Sequence, residues 1–406
     1  MSQIGLARLV AGRAWAFGSA DFWRLWYTGL ITFVVRWVET LAVAVFVFQH
    51  TRSPFAVAMI TMLRLLPMGL FGAFIGAVAE RIERRTALLA MILMMLVTDA
   101  GLTALAYAGW LTVWQVAIGS FVNGLAWAAD NPVRRVAMGE VIGGDRMGAA
   151  MSIDIAANNG SRMLGPTIGG LLLATAGIEG VFSLGVALYA TSFVATLGLR
   201  YRNRRFAPVR IPVLAGIAEG LRLARQDKRL RGTLVVTVIY NIFAWPFTSM
   251  VPVIAQGHLG LGAASTGVLA SMDGVGAFLG AMVIAVVVRP PQYARVYLGG
   301  IIIYSAMLTA FALMPSPLSA GAALFLEGAG GSGYSIMQTT LIYLYAPPEM
   351  RSRMLGLLSV CIGVGPIGFL HLGLMANIIG AQWATVVTGI EALVALALTR
   401  PLWRAI

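Results

Sequence analysis

Runs of about 20 mainly apolar residues, the length an α-helix needs to cross a bilayer's hydrocarbon core, follow one another along the whole chain. Twelve are readable, at 22–48, 55–78, 87–108, 112–136, 150–176 and 179–199, then at 230–256, 263–288, 293–314, 317–345, 354–379 and 381–400. Only 11% of the 406 residues are charged, against about a quarter in soluble domains. A water-soluble fold of this size has too few charges to cover its surface. The reading is an all-α membrane protein of twelve transmembrane helices.

Orientation follows from the basic residues. The chain has 29 Lys and Arg against 16 acids, an excess that in a soluble protein would suggest nucleic acid. Here all but Arg36, Arg52, Arg64 and Arg162 fall in the N-terminal tail, the even-numbered connections and the C-terminus. That bias places both termini in the cytoplasm by the positive-inside rule, and no nucleic-acid partner is expected. Residues 1–21 carry Arg8 and Arg13 and lack a compact apolar core with a cleavage site, so they read as an amphipathic lead-in on the membrane face. The six-span bundles cover 22–199 and 230–400, with a basic linker and surface helix over 200–229 and a tail at 401–406. Asn123-Gly124 and Glu327-Gly328, like Gly165-Pro166 and Gly365-Pro366, recur about 200 residues apart, an internal echo of the kind transporter repeats leave.

The connection after span 2, "GAVAERIERRT" (76–86), resembles the signature loop of the major facilitator superfamily, Gly-x-x-x-Asp-Arg-x-Gly-Arg-Arg. Gly76, Arg81, Arg84 and Arg85 match; Glu80 stands for the family's Asp and Glu83 for its second Gly. The alternation of acids and bases suits a charged latch that shuts a cytoplasmic gate, and topology alone is the plainer alternative. The resemblance implies that a loop arginine engages an acid at the inner end of span 4, where Asp130 stands. "HTRSPFAVA" (50–58), "NPVRRVAMGEVI" (131–142) and "GPTIGG" (165–170) are most similar to the bacterial drug- and siderophore-exporter branch, including macrolide and enterobactin exporters.

Charges inside the membrane are functional candidates because each costs at least about 2.5–3.5 kcal/mol at the bilayer centre. The spans hold Arg36, Glu39, Arg64, Asp99, Arg162, Asp273, Glu327 and Glu391. The resemblance implies two pseudo-symmetric six-helix bundles around a central cavity, which spans 1, 2, 4 and 5 and spans 7, 8, 10 and 11 surround. Arg36, Glu39, Arg64, Arg162, Asp273 and Glu327 would then face water or one another, with Asp99 and Glu391 toward the periphery near the outer surface. Glu39, Asp273 or Glu327 would carry protons, while Arg36 and Glu39, three residues apart, also fit a neutralising pair. The family's proton-handling arginine in span 4 is absent; Ser120 occupies its place. Trp37, Trp127, Tyr240, Phe243 and Trp245 lie within spans as cavity lining or as helix packing, and His371 is a lone titratable group in span 11.

Span 5 carries "NNGSRMLGPTIGG" (158–170). Asp154, Asn158 and Arg162 recur every four residues and so share one face. Ser161, Gly165 and Gly169 form a small-residue seam beside them, for which Gly267, Ser271 and Gly274 of span 8 offer a match. Pro166 releases the carbonyl of Arg162 and weakens the helix. The run from Gly160 to Gly170 resembles the exporter antiporter motif Gly-x-x-x-x-Gly-Pro-x-x-Gly-Gly. It implies a hinge at Gly165, Pro166, Gly169 and Gly170, against the alternative of an ordinary proline kink.

The resemblance implies export of a drug-like compound or siderophore, and the expected function is secondary active export of such an amphiphilic small molecule by proton antiport with alternating access. The setting is the bacterial cytoplasmic membrane and the protein a monomer. A lipid or lysolipid flippase of the same fold is the alternative. No nucleotide-binding Gly-x-x-x-x-Gly-Lys motif is present. Three His and one Cys give neither a catalytic constellation nor a metal or disulfide site, so no enzyme and no cofactor is expected.

Overall fold

The structure, a computed structural model, describes residues 19–79, 82–143, 146–201 and 213–406, with the backbone alone at 71–79, 131, 213–217 and 352. The described residues are helical nearly throughout. In chain order the long helices are α1 (Ala20–Thr51), α2 (Pro54–Ala79), α3 (Arg84–Tyr107), α4 (Val113–Ile142), then α5 (147–176) and α6 (178–197). After the surface helix Val213–Gln226 come α7 (Lys228–Gly257), α8 (Ala263–Val287), α9 (Tyr293–Leu313), α10 (Pro317–Tyr345), α11 (Arg353–Ile379) and α12 (Ala381–Leu398).

Helix ends follow local chemistry. Thr112 and Gln115 form a capping box at α4, the Asp227 carboxylate accepts the Arg229 and Leu230 amides at α7, and Ser316 caps α10 ahead of Pro317. Gly143 and Gly380 end their helices with positive φ. Met147–Leu197 is a single helical run of 51 residues, broken only at Gly177, whose φ of 67° and ψ of −173° lie where only glycine is comfortable. This one-residue joint separates α5 from α6.

Eight helical stretches among the described residues are long and apolar enough to cross a membrane on those grounds alone, one of them the α5–α6 run. Three helices fall below that mark: α2, whose apolar stretch counts only over Pro54–Leu70, and α4 and α10, where Gln115, Asn123 and Asp130, and the glycines and Glu327 of α10, dilute the apolar side chains. Large apolar side chains stand outward around the bundle, Trp114, Val286, Leu318 and Ile378 among them, as suits a surface facing lipid.

Backbone-to-backbone approaches at glycines set the helix pairs. A Cβ at Gly124 of α4 would strike the Arg64 carbonyl of α2, and one at Gly328 of α10 would strike the Asp273 carbonyl of α8. The same device thus recurs, with Arg64 in the place of Asp273 and Asn123 in that of Glu327. The α5 helix lies against α8 and α1, and α2 against α11. At the end away from the arginine-rich connections, called the outer end below, one apolar cluster joins Ala44, Val47 and Phe48 of α1 and Val57, Ala58 and Ile60 of α2 to Val251, Val253 and Ile254 of α7 and Leu372 and Ala376 of α11. At the opposite end the apolar side chains divide into separate clusters. One centres on Phe22, Leu25, Leu88 and Tyr189, and others on Leu230, Met354 and Leu358 and on Tyr297, Tyr334 and Leu341.

Candidate functional site: a charged cavity between helices

A cavity of about 300 Å3 lies at the centre, lined from α1, α2, α5, α7, α8, α10 and α11. Arg36, Arg64, Asn158, Arg162 and Asp273 all reach it. Its wall mixes these groups with Trp37, Tyr240, Trp245, Phe247 and Phe369, so apolar and charged surfaces meet in one chamber.

Arg162 and Asp273 form a forked ion pair across the α5–α8 seam. Nε donates to Oδ2 at 3.0 Å, and Nη2 reaches Oδ1 and Oδ2 at 2.7 Å each. This planar, bidentate geometry is one that guanidinium offers and ammonium does not. The seam holds it from both sides. Thr167 donates its backbone N–H to Ser271 Oγ at 3.0 Å, and a Cβ at Gly274 would fall 2.6 Å from the carbonyl of Arg162. That is the carbonyl Pro166 cannot bond. The proline therefore turns an orphaned acceptor toward the closely packed α8 backbone.

Arg36 is placed differently. Its guanidinium sits 3.6 Å from the centroid of the Trp127 ring and 5.6 Å from that of Trp37, and the salt bridges among the described residues give it no carboxylate partner. Trp37 in turn donates its indole N–H to Asn158 Oδ1 at 3.3 Å.

Glu39 and Glu327 do not face the cavity. Glu39 pairs with Arg64, not Arg36, at 3.2 Å and is 2% exposed. An i,i+3 spacing put it beside Arg36, but α2 brings Arg64 closer. Glu327 is fully buried behind Asp273, and neither of its oxygens accepts a hydrogen bond. Asp99, expected near the periphery, is instead 0% exposed inside the bundle, where Asn123 donates to its Oδ1 at 3.0 Å. Glu391, on α12, accepts from His371 Nε2 at 2.8 Å, both about a third exposed. Among the aromatics, Trp37, Tyr240 and Trp245 line the cavity, Trp127 underlies Arg36, and Phe243 packs in the core beside His371.

Of the expected cytoplasmic gate, Glu80 and Arg81 lie outside the described residues, and Gly76 is described by its backbone alone. Arg84 pairs with Glu140 and donates to the Tyr201 hydroxyl at 2.9 Å, while Arg85 donates to the Leu197 carbonyl at 2.8 Å. Asp130 pairs with Arg134 of its own helix at 3.1 Å. Arg134 also holds Asp154 at 2.5 Å, and Arg135 reaches the same carboxylate at 3.0 Å. Arg134 is fully buried, sits over the Phe33 ring and fills the space left by Gly29. The cluster Asp130–Arg134–Asp154–Arg135 was missed because "VRR" read as topology and Asp154 as part of the cavity stripe.

The small-residue seam is divided between two neighbours. A Cβ at Gly165 would fall 2.5 Å from Trp37 Cβ, and one at Gly169 would strike the Val38 carbonyl, so both pack on α1 and not on α8. Pro166, Thr167 and Gly170 face Gly267 and Ser271 of α8. Also unforeseen is the break in α7, where a π-turn at Tyr240–Ala244 runs into a tight turn at Trp245–Ser249 and carries the aromatic wall. Pro246 was its one available signal.

Among the described residues, twelve membrane-length helices around a solute-sized charged cavity define a multi-pass membrane protein with the layout of a transporter. A family described as "Transmembrane secretion effector" matches residues 13–402, and the chain belongs to this family of the major facilitator superfamily. It is 20% identical over 369 residues to macrolide efflux protein A of Streptococcus pyogenes, covering 89% of this chain and 90% of that one. It is 27% identical over 350 residues to the multidrug efflux pump Tap of Mycolicibacterium fortuitum, covering 82% and 84%. Among solved structures the nucleoside transporter NupG superposes with a TM-score of 0.78 at 12% identity, covering 94% of this chain and 100% of that one. A bacterial homolog of the human lysosomal transporter Spinster, inward-facing and unoccupied, superposes at 0.72 and 14% identity, covering 95% and 96%. These structural likenesses establish the shared fold.

Proposed function

We propose that the protein exports an amphiphilic small molecule, drug-like or siderophore, by proton antiport, alternating access to the cavity through rocking of two six-helix halves. The observation that carries this reading is the Arg162–Asp273 fork on the cavity wall, set among Trp37, Tyr240 and Trp245. A solute with an apolar body and a charged group fits such a wall, and its charge competes with one partner of the fork. Breaking the fork frees α5 from α8 while changing the charge beside Glu327, which couples solute to proton and to motion. Macrolide and multidrug efflux by the relatives supports the outward direction.

In this reading the halves are 22–199 and 230–400, joined by the linker over 200–229. Gly76, Glu80, Arg81, Arg84, Arg85 and Asp130 serve the cytoplasmic gate, and Gly165, Pro166, Gly169 and Gly170 the flexing region. The protein works as a monomer in the cytoplasmic membrane, with both termini inside. A phospholipid or lysolipid cargo is the second reading, favoured by Arg36, whose charge in the cavity has no carboxylate opposite and could meet a headgroup phosphate.

Flux measured in proteoliposomes, with and without an imposed pH gradient, separates these readings. Macrolides, siderophores and lysolipids are the test solutes. Acceleration of drug or siderophore flux by the gradient, lost in Glu327→Gln, is the expected result. Flux indifferent to the gradient and to neutralisation of Glu39, Asp273 and Glu327 sinks the antiport mechanism, and flux of lysolipid alone selects the second cargo.

A further inference from the structure

Behind Arg64 lies a polar pocket whose acids do not line the cavity. Glu39 of α1 accepts from Arg64 at Oε2, 3.2 Å away, and Asp99 of α3 accepts from the Asn123 amide of α4 at Oδ1, 3.0 Å away. The remaining oxygens, Glu39 Oε1 and Asp99 Oδ2, are buried and meet no donor. They face each other over Gly185 of α6, where a Cβ would strike Asp99 Oδ2 and lie 3.3 Å from Glu39 Oε1. Glycine at 185 is what leaves room for two carboxyl groups side by side. The groups around them are Arg64 from α2, Asn123 from α4 and the Tyr189 hydroxyl from α6. Among the described residues Arg64 is the one cation in contact with either acid; Arg36, the next arginine on α1, lies over the Trp127 ring instead.

Two ionised carboxylates cannot share such a site beside a single arginine, because one negative charge would stand uncompensated away from water. A proton between the two orphaned oxygens resolves both defects, supplying the missing donor and restoring neutrality. We propose that Glu39 and Asp99 hold one exchangeable proton between them, at a site distinct from Glu327, and that Arg64 links this site to the cavity.

Infrared difference spectroscopy of the full chain in nanodiscs, by the protonated-carboxyl stretch and its shift in D2O, tests the shared proton without reference to transport. The spectra are recorded in a Glu327→Gln background, so that a failed antiport reading and a failed dyad are told apart. Asp99→Asn and Glu39→Gln should each remove the same single band, and the double variant should remove no more than either one. Arg64→Gln, which leaves both acids without a cation, should add a band. Additive losses, or an unchanged spectrum in both single variants, overturn the proposal. Should a neutralising variant fail to fold, as judged by gel filtration and thermal unfolding, the parent protein decides. A D2O-sensitive carboxyl band at neutral pH that survives the Glu327→Gln change supports the dyad, and its absence overturns it.

Discussion

Arg162 meets a carboxylate across a helix seam, whereas Arg36 meets indole rings, and the two should fail differently on substitution. Arg162→Lys keeps the charge but loses the fork; transport is expected to fall at least about tenfold, the equivalent of roughly 1.4 kcal/mol. Trp127→Ala takes away a contact worth about 0.5–2 kcal/mol and should lower the thermal unfolding temperature while leaving the Arg162 fork in place. Flux assays and thermal unfolding of both variants check this. At this scale the sequence was legible in its inventory and much less so in its pairings. The intramembrane charges stood out because each is costly in lipid. Their partners did not, since Arg162 and Asp273 are 111 positions apart and no local spacing joins them. Glu39 shows the converse error, where a tempting three-residue spacing lost to a neighbouring helix. Asp99 sits on a helix assigned to the outside, yet it occupies that helix's inward face.

Among the elements, α5 is less a free hinge than a strip of contacts with two neighbours. A side chain at Gly165 has to displace the α1 backbone at Trp37 and Val38, so Gly165→Leu should cost folding stability by about 1–3 kcal/mol through overpacking. Gly170 is different, because it opposes Ala263 and Gly267 of α8 at the outer end. Gly170→Leu is expected to wedge that seam apart, and a cysteine placed by Ala44→Cys should then react faster with a membrane-impermeant thiol reagent added from outside. Unchanged reactivity in folded protein would argue that the seam is not part of the outer closure. The glycines and Pro166 were visible as a motif. Which helix each glycine touches depends on about 100° of rotation per residue, and the motif does not encode that angle. The π-turn in α7 was illegible for a related reason, since a register slip of one residue leaves the apolar pattern almost intact.

For the whole molecule, the number and order of spans were readable because hydrocarbon thickness sets their length. The way the spans close on one another was not readable. Ala58 of α2 and Gly373 of α11 come within contact at the outer end, a Cβ on Gly373 falling 3.0 Å from that of Ala58. A cysteine pair made by Ala58→Cys and Gly373→Cys should therefore oxidise with little backbone movement. The cross-link is expected to arrest transport and reductant to restore it; full transport by the cross-linked protein would rule out separation of α2 from α11 during the cycle.

The apolar cluster that unites the helices at the outer end, where the opposite end has several separate ones, has a thermal consequence. In the proposed alternating-access cycle, opening the outer end to water hydrates that apolar surface, so the proposed open form has the larger heat capacity. The balance between the two proposed forms would then follow a curved, not a straight, dependence on temperature, and cooling would weaken the force that holds the outer end together.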